Sequence, residues 1–381
     1  MNYFIIVLFI ASLIGTDYKV IQGVTYADFI SAITLIAVLI KGNFCKYNKD
    51  AFFHLSFVYI ILMSIASLLN FTFTDTQFVN YYRIMVEGLI AYAAINVAIE
   101  NKKHFLFFSY CLVLYSIYFL IKRQMALNTG LEEDIYYFAT FDRNEIAFSN
   151  LLLIIGLLFV YFKAEIKFNK IILLLIPIMV FNIFFNASRF SVISLGIYVI
   201  FMLYWIGIKI TAKSIFFIGI LAVLGYSIFR ILMGTFDSSL IEGSSDLLNN
   251  KLQGDELKQN SLQMRLWELN IKHIIDWIFD SEINILQILI GDGISLTHGI
   301  FSQTFCSTGF LGFIYYCSSH WNYIVRRWKI SHASRYAAFL VFIMFLNDII
   351  TNSHFIVNVN TILYMGLVAY VTSMNNKLQI Q

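Results

Sequence analysis

Two apolar runs follow one another across a short turn: residues 145–162 read EIAFSNLLLIIGLLFVYF, Lys163 and Lys167 come next, and residues 168–186 read FNKIILLLIPIMVFNIFFN. A helix needs about 20 predominantly apolar residues to cross the hydrocarbon core of a membrane, and each run approaches that length. Lysines in a short loop are typical of the cytoplasmic side. The stretch therefore predicts a helical hairpin that spans a membrane, with its turn in the cytoplasm.

The whole chain has the composition of a polytopic membrane protein. Of its 381 residues, 59% are hydrophobic and 13% are charged, whereas a soluble domain carries about 25% charged residues. The net charge of +3 is too small to indicate a nucleic-acid partner. The four cysteines form no C-x-x-C pair, so the sequence indicates neither a disulfide framework nor a zinc site.

The hydropathy pattern predicts an all-α fold with twelve membrane-spanning helices. The predicted spans are residues 3–15, 26–40, 51–70, 78–99, 104–121, 145–162, 168–186, 190–208, 213–233, 300–323, 336–353 and 355–373. The N-terminus lacks a basic region and a small-x-small cleavage site, so we expect a retained first span. We expect one membrane domain, residues 1–381, with a large outer loop at residues 234–298.

Basic residues divide unequally between the two predicted sides of the membrane. With both termini placed in the cytoplasm, the inner segments carry twelve lysines and three arginines. The outer side carries five lysines and six arginines, and these arginines are Arg83, Arg123, Arg143, Arg189, Arg230 and Arg265. Inner lysines follow the ordinary orientation rule. Outer arginines need another reason, and bidentate binding of phosphate is the leading one.

The outer loop 234–298 has the composition of a soluble segment. It opens with a turn region rich in Gly, Ser and Asp and then becomes helical. One face of the predicted helix is apolar and consists of Trp267, Ile271, Ile274, Ile275 and Ile278. The opposite face consists of Arg265, Glu268, Lys272 and Asp276. We expect such a helix to lie on the membrane surface or over the bundle.

Residues 186–189, with the sequence NASR, lie at the outer end of the eighth predicted span. Ser188 can cap the helix and Arg189 enters its first turn, so backbone amides, the helix dipole and a guanidinium converge on one anion site. The alternative is an interfacial arginine that reaches lipid headgroups. Arg143, at the start of the sixth span, either binds an anion or pairs with a neighbouring carboxylate.

His298 lies just before the tenth predicted span. The positive end of a helix favours a neutral imidazole, which can act as a general base, and the alternative is an ordinary interfacial histidine. Arg265 is either an anion ligand or a solvated charge on the loop helix. Arg83 and Glu87 are four residues apart, which predicts a local ion pair inside the bundle.

Three segments, taken in order, match a known pattern. They are residues 186–189, the run Arg265-Leu-Trp-Glu, and a set formed by Gly291-Asp-Gly293, His298 and Thr308-Gly-Phe-Leu-Gly312. This pattern resembles the superfamily of Wzy-type O-antigen polymerases and O-antigen ligases. The resemblance covers residues 186–312 and the twelve-span layout, while residues 1–140 match in hydropathy alone. Phe190 and Gly299 depart from the family, which has a small residue and an asparagine there.

The resemblance implies a membrane glycosyltransferase of the GT-C type that acts at the periplasmic face of the bacterial inner membrane. Its donor would be an undecaprenyl-diphosphate-linked glycan. Carried over by position, Arg189 and Arg265 would bind the diphosphate, with Arg143 as a further candidate, and His298 would accept a proton from the attacking sugar hydroxyl. Neither a metal nor another cofactor is expected. Expected partners are the lipid-linked oligosaccharide, the bilayer and a protein that regulates chain length.

Three functions remain open at this point. A polymerase and a ligase share the chemistry and differ in the acceptor, which is a lipid-linked repeat unit for the first and lipid A–core for the second. Polymerase is favoured because the chain is rich in Phe, Ile and Asn, a composition typical of O-antigen cluster members. A flippase needs charged residues along a central cavity, whereas the charges of this sequence gather at the outer face.

Overall fold

A computed structural model describes residues 1–16, 18–21, 24–41, 51–73, 76–128, 143–164, 169–185, 189–207, 271–281, 283–293, 300–350 and 358–374. This part of the chain is almost entirely helical. Its helices are α1 (Asn2–Gly15), α2 (Tyr26–Ile40), α3 (Ala51–Leu69), α4 (Thr76–Ala98), α5 (Lys102–Asn128), α6 (Arg143–Lys163), α7 (Asn169–Phe185), α8 (Arg189–Ile206), α9 (His273–Ile278), α10 (Ile285–Ile290), α11 (Ile300–Ile330), α12 (His332–Ile350) and α13 (Asn358–Ser373). A short antiparallel pair, β1 (Lys19–Ile21) and β2 (Val24–Thr25), joins α1 to α2.

The all-α prediction is confirmed, with this small strand pair as the exception. Eleven of the predicted spans coincide with a helix, and the span at 213–233 lies outside the described residues. Two described stretches, Lys102–Lys122 and Ile146–Lys163, are long and apolar enough to cross a membrane. Seven further apolar stretches within the described helices are shorter: Asn2–Gly15, Tyr26–Ile40, Phe57–Leu69, Asn169–Phe184, Phe190–Ile206, Ser334–Asn347 and Val359–Ser373.

Helix α13 forms the centre of the bundle. Every side chain from Val359 to Ser373 is buried or nearly so, and the helix packs against α1, α4, α6 and α12. The contacts with α1 and α4 are close because glycine stands on one side of each. A Cβ added at Gly366 would lie 2.3 Å from the Phe9 ring, and one added at Gly88 would lie 2.6 Å from the Thr361 methyl group.

One end of the bundle, which we call the Lys41 end, collects basic and aromatic side chains. Lys41 Nζ lies 2.9 Å from a Glu100 oxygen, and the Asn2 amide donates to the other oxygen over 2.7 Å. These contacts join the start of α1, the end of α2 and the turn between α4 and α5. Lys163 lies over the Trp205 ring, whose indole N–H donates to the His332 carbonyl over 2.8 Å. The ends of α6 and α8 and the start of α12 therefore meet at the Lys41 end as well.

Stacked aromatic rings fill the bundle just inside the Lys41 end. Phe105 stacks on Tyr370 with a centroid distance of 4.5 Å, and Phe159 packs on Tyr336 at 4.8 Å. The buried tyrosine hydroxyls have partners, since Tyr370 shares a hydrogen bond of 2.7 Å with Ser109 and Tyr336 bonds Tyr198. Large rings with satisfied hydroxyls make this half of the interior apolar and well packed.

The opposite end, which we call the Gly291 end, contains residues 291–293, the end of α3 and the starts of α2, α4, α6, α8 and α13. Helix α9 lies over α11 here, with the Trp277 ring 5.9 Å from that of Phe305. Of the predicted apolar face, Trp267 lies outside the described residues and the four isoleucines lie within them. Ile271 and Ile275 are exposed, whereas Ile274, Trp277 and Ile278 are half-buried, because the helix packs through Trp277. The rings of Trp277 and Phe305 therefore form the contact between α9 and α11.

Candidate functional site

Two of the four predicted site residues are the first residues of described helices at the Gly291 end. Arg143 is the first residue of α6 and Arg189 is the first residue of α8. His298 precedes the first residue of α11, Ile300, by two positions. Arg265 and His298 lie outside the described residues, and so do the side chains of the two helix-start arginines.

The starts of α6 and α8 are neighbours in space. The Phe148 and Phe190 rings, one in the second turn of α6 and one in the first turn of α8, lie 6.4 Å apart. Phe190 is the residue that departs from the small residue of the family pattern, and here it is buried in this contact. The backbones that carry Arg143 and Arg189 therefore begin side by side, at helix ends that favour anions.

Buried polar atoms without a hydrogen-bond partner lie beneath these helix starts. They belong to side chains that are at most 3% exposed, and they are Asn150 Oδ1, Ser194 Oγ, Gln303 Oε1 and Thr304 Oγ1. An unpaired buried polar atom costs about 1–3 kcal/mol, so a retained one calls for a reason. Two more such oxygens, of Asn169 and Ser373, lie toward the Lys41 end.

Unpaired oxygens lie within about two turns of the start on three helices. Asn150 lies two turns into α6, Ser194 lies in the second turn of α8, and Gln303 and Thr304 lie at the start of α11. With a rise of about 1.5 Å per residue, these groups are roughly 5–10 Å below the helix starts. These residues carry no signal in the sequence, because a polar residue within an apolar helix does not reveal whether its oxygen is paired.

Buried amide side chains concentrate in this half of the bundle. Asn150, Asn182, Gln303, Asn347 and Asn360 each lie in the half of their helix nearest the Gly291 end, and Asn2 at the Lys41 end is the exception among the described buried amides. The Asn360 oxygen accepts a hydrogen bond from the Ser149 hydroxyl. The interior is therefore polar toward the Gly291 end and aromatic toward the Lys41 end.

The predicted ion pair between Arg83 and Glu87 is confirmed, and it has a third member. Arg83 Nε lies 4.0 Å from a Glu87 oxygen and 3.0 Å from Asp28 Oδ1. Asp28 also caps α2, since its other oxygen accepts from the Thr25 amide over 2.6 Å. The sequence carried this signal as a Thr-x-x-Asp capping box. Two carboxylates hold Arg83, so it is less suited to bind a phosphate than the helix-start arginines.

The motif glycines form one backbone crossing. Residues 291–293 run between the end of α3 and the first half of α11. Asn70 donates to the Gly291 carbonyl over 3.0 Å and Thr72 donates to the Asp292 carbonyl over 2.9 Å. On the other side, the amides of Asp292 and Gly293 donate to carbonyls of α11 over 2.8 and 3.1 Å. We call this arrangement the glycine crossing.

A break in α11 at Gly309 makes the glycine crossing possible. Gly309 has φ 64° and ψ −171°, a conformation that side chains with a Cβ rarely adopt. A Cβ there would lie 2.3 Å from the Ile290 nitrogen, and one at Gly291 would lie 2.3 Å from the Ser307 carbonyl carbon. The segments Gly291–Gly293 and Thr308–Gly312, which belong to one set in the family pattern, therefore pack backbone against backbone.

Comparison with family models, with curated proteins and with solved structures found no match to this chain. Within the described ranges, no group of three His, Cys, Asp or Glu side chains could hold a metal ion. The features of this end that bear on function are the helix starts, the polar interior beneath them and the glycine crossing.

Proposed function

We propose that this protein is an O-antigen polymerase, a polytopic glycosyltransferase of the bacterial inner membrane. It would transfer a growing undecaprenyl-diphosphate-linked glycan onto a new lipid-linked repeat unit. The observation that carries the proposal is that helix starts and buried, unpaired polar atoms occur together at the Gly291 end. Three helices begin at or just after Arg143, Arg189 and His298, and each has buried, unpaired polar atoms one to two turns further in.

A membrane environment accounts for the outer surface of the bundle. Helices α7 and α8 expose large aliphatic side chains, among them Leu173, Leu174, Ile193 and Ile200. Such side chains are unfavourable in water over a large area and favourable in lipid. The gathering of Lys41 and Lys163 at one end supports the predicted orientation, with that end in the cytoplasm and the Gly291 end at the periplasmic face.

The chemistry of the proposed site is a single displacement. The acceptor hydroxyl forms a bond to the anomeric carbon of the donor glycan while the bond from that carbon to the diphosphate oxygen breaks. His298 accepts the proton of the hydroxyl, and undecaprenyl diphosphate leaves with the bonding electrons. Negative charge grows on the diphosphate, so Arg189, Arg265 and Arg143 would lower the barrier by binding it more strongly in the transition state.

The helix starts add to this stabilisation. The first turn of a helix presents backbone N–H groups without helical partners and carries about half a positive charge. Because α6 and α8 begin side by side, both helix starts can face one diphosphate, and their first residues are arginines. Arginine suits this role because its planar fork donates two parallel hydrogen bonds to a phosphate.

Gene deletion in the native host tests the proposal and separates it from its alternatives. The readout is a lipopolysaccharide gel, with the complemented strain as the control. We expect lipid A–core that carries a single repeat unit and no ladder. Bare core with polymer retained on the lipid carrier would identify a ligase. Bare core with lipid-linked units trapped on the cytoplasmic side would identify a flippase and overturn the site assignments.

A further inference from the structure

The first turns of α11 are polar although they are fully buried. Ser302, Gln303, Thr304, Ser307 and Thr308 fall within a single stretch of seven residues, and each is at most 3% exposed. The chain is 59% hydrophobic, and apolar side chains at these positions would avoid the free-energy cost of burying polar groups. Their polarity therefore needs a function or a set of internal partners.

Internal partners account for part of this polar stretch. The hydroxyl of Ser307 donates to the Gln303 carbonyl, and the hydroxyl of Thr308 donates to the Thr304 carbonyl over 2.7 Å. These are bonds to the preceding turn of the same helix, which serine and threonine commonly form. Gln303 Oε1 and Thr304 Oγ1 have no hydrogen-bond partner.

The contrast between two threonines of this helix is informative. Thr304 and Thr308 are one turn apart and equally buried, and the carbonyl of Ile300 stands one turn before Thr304. Thr308 forms the bond to its preceding turn, whereas Thr304 does not. The hydroxyl of Thr304 thus has no hydrogen-bond partner among the described residues.

The chemistry of the two groups selects the class of ligand. An amide oxygen accepts hydrogen bonds only, and a hydroxyl donates one and accepts others. Both groups are neutral, so they are poorly matched to a diphosphate, which requires donors and positive charge. A sugar presents several hydroxyls that both donate and accept, so it can pair with either kind of group.

We infer that Gln303 and Thr304 bind hydroxyl groups of the acceptor sugar, an inference that rests on the glycosyltransferase function proposed above. The acceptor hydroxyl must lie beside the base, and Gln303 and Thr304 follow His298 by five and six positions in the sequence. They act as specificity-determining residues: their hydrogen bonds select the sugar that the acceptor site binds.

Thr304→Val tests the inference, with Thr308→Val as the matched control. The purified protein is unfolded thermally in detergent, alone and with each of two probes. The first probe is the lipid-linked repeat unit extracted from the deletion strain, and the second is undecaprenyl diphosphate without glycan. Valine has the shape of threonine without the hydroxyl, so Thr304→Val should unfold at or above the wild-type Tm because it removes an unpaired buried group.

Ligand binding should separate the two variants. We expect the repeat unit to raise the Tm of Thr304→Val no more than undecaprenyl diphosphate does, and the KM for the repeat unit to rise about tenfold with kcat nearly unchanged, as for one lost hydrogen bond. Gln303→Leu should behave like Thr304→Val. Thr308→Val should lose a little stability and keep the wild-type response to the repeat unit.

Three results would overturn the inference. An unchanged response of Thr304→Val and Gln303→Leu to the repeat unit, with an unchanged KM, would mean that the two groups contact no sugar. A lower Tm of Thr304→Val without any probe would mean that the hydroxyl has a structural role. If the wild-type protein responds to neither probe, the proposed function itself fails, and this outcome is distinct from the first two.

Discussion

The amide of Asp292 donates a hydrogen bond of 2.8 Å to the carbonyl oxygen of Cys306. In an unbroken α-helix this oxygen would accept from the amide four residues later, at position 310. Because α11 breaks at Gly309, the amide of Asp292 donates to this oxygen instead. In the same way, the amide of Gly293 donates to the carbonyl oxygen of Ser307 over 3.1 Å. The glycine crossing thus anchors the first half of α11, which carries Gln303 and Thr304.

Gly309→Ala should destabilise the protein strongly. The new Cβ would lie 2.3 Å from the Ile290 nitrogen, and alanine disfavours φ 64°. Strain and overlap together should lower the free energy of unfolding by about 3 kcal/mol or more. Thermal unfolding of the purified protein in detergent measures the change.

Gly196→Ala is the matched control for this prediction. Gly196 lies inside α8, and a Cβ there would meet no atom within 4 Å. We expect the free energy of unfolding to rise by about 0.5–1 kcal/mol, because alanine has a higher helix propensity than glycine. A Gly309→Ala protein that unfolds at the wild-type temperature would contradict the close backbone contact.

Arg83→Leu should destabilise the bundle by removing the shared partner of two carboxylates. Glu87 is 3% exposed and would be left without its nearest cation. Breaking a buried ion pair on one side typically costs about 3–5 kcal/mol, whereas replacing both partners costs less. The double variant Arg83→Leu/Glu87→Leu should therefore recover part of the lost Tm. If the single variant keeps the wild-type Tm, the ion pair has no role in stability.

Lowering the pH should weaken the ion pair between Lys41 and Glu100. Partial burial alone would raise the pKa of Glu100, but the hydrogen bonds from Lys41 and Asn2 outweigh it and lower this pKa below 4.5. A lowered pKa in the folded state means that the carboxylate stabilises the protein above pH 4.5 and loses this contribution as the pH falls through the folded-state pKa.

Glu100→Gln should reveal that dependence. At pH 7 the variant should have a lower Tm than the wild type, and the difference should shrink as the pH falls below about 4.5. The effect should be small because the side chain is 44% exposed. Lys103→Gln, a change of charge at an exposed neighbouring position, serves as the control. A difference in Tm that does not vary with pH would contradict the role of the carboxylate.

Arg189→Lys should impair the proposed transfer although it keeps the positive charge. A lysine cannot form the two parallel hydrogen bonds that a guanidinium donates to a phosphate. We expect polymer synthesis to fall about a hundredfold, within the range for loss of a donor to a developing oxyanion. Arg326→Lys, at an exposed position of the Lys41 end, should retain full activity. Wild-type synthesis by Arg189→Lys would mean that Arg189 binds no diphosphate.

Hydropathy predicted the helices well because each apolar run has about the length of its helix. The predicted ends fall short where polar helix formers continue an apolar run, so α5 extends from the predicted residue 121 to Asn128. The break at Gly309 lies inside such a run and is invisible to hydropathy, which carries no information on φ. The resemblance identified the motif glycines, but contact between Gly291 and Ser307 depends on the tertiary fold.

The candidate site could be predicted only at the level of residue type and sidedness. Sequence placed Arg143, Arg189 and His298 at helix starts on one side, because charged and polar residues end apolar runs. It could not distinguish Thr304 from Thr308, which share a residue type, a helix and a degree of burial. Only the hydrogen bonds of the folded protein separate the paired hydroxyl from the unpaired one.

The most direct test of the proposed function is the rate at which His298→Ala polymerises purified lipid-linked repeat units. The control is His273→Ala, which changes an exposed histidine of α9 at the same end of the bundle. We predict a loss of about a hundredfold or more for His298→Ala, as for removal of a general base, with normal protein abundance and Tm. His273→Ala should polymerise at the wild-type rate. A wild-type rate for His298→Ala would contradict the account, because no base would then be required at the start of α11.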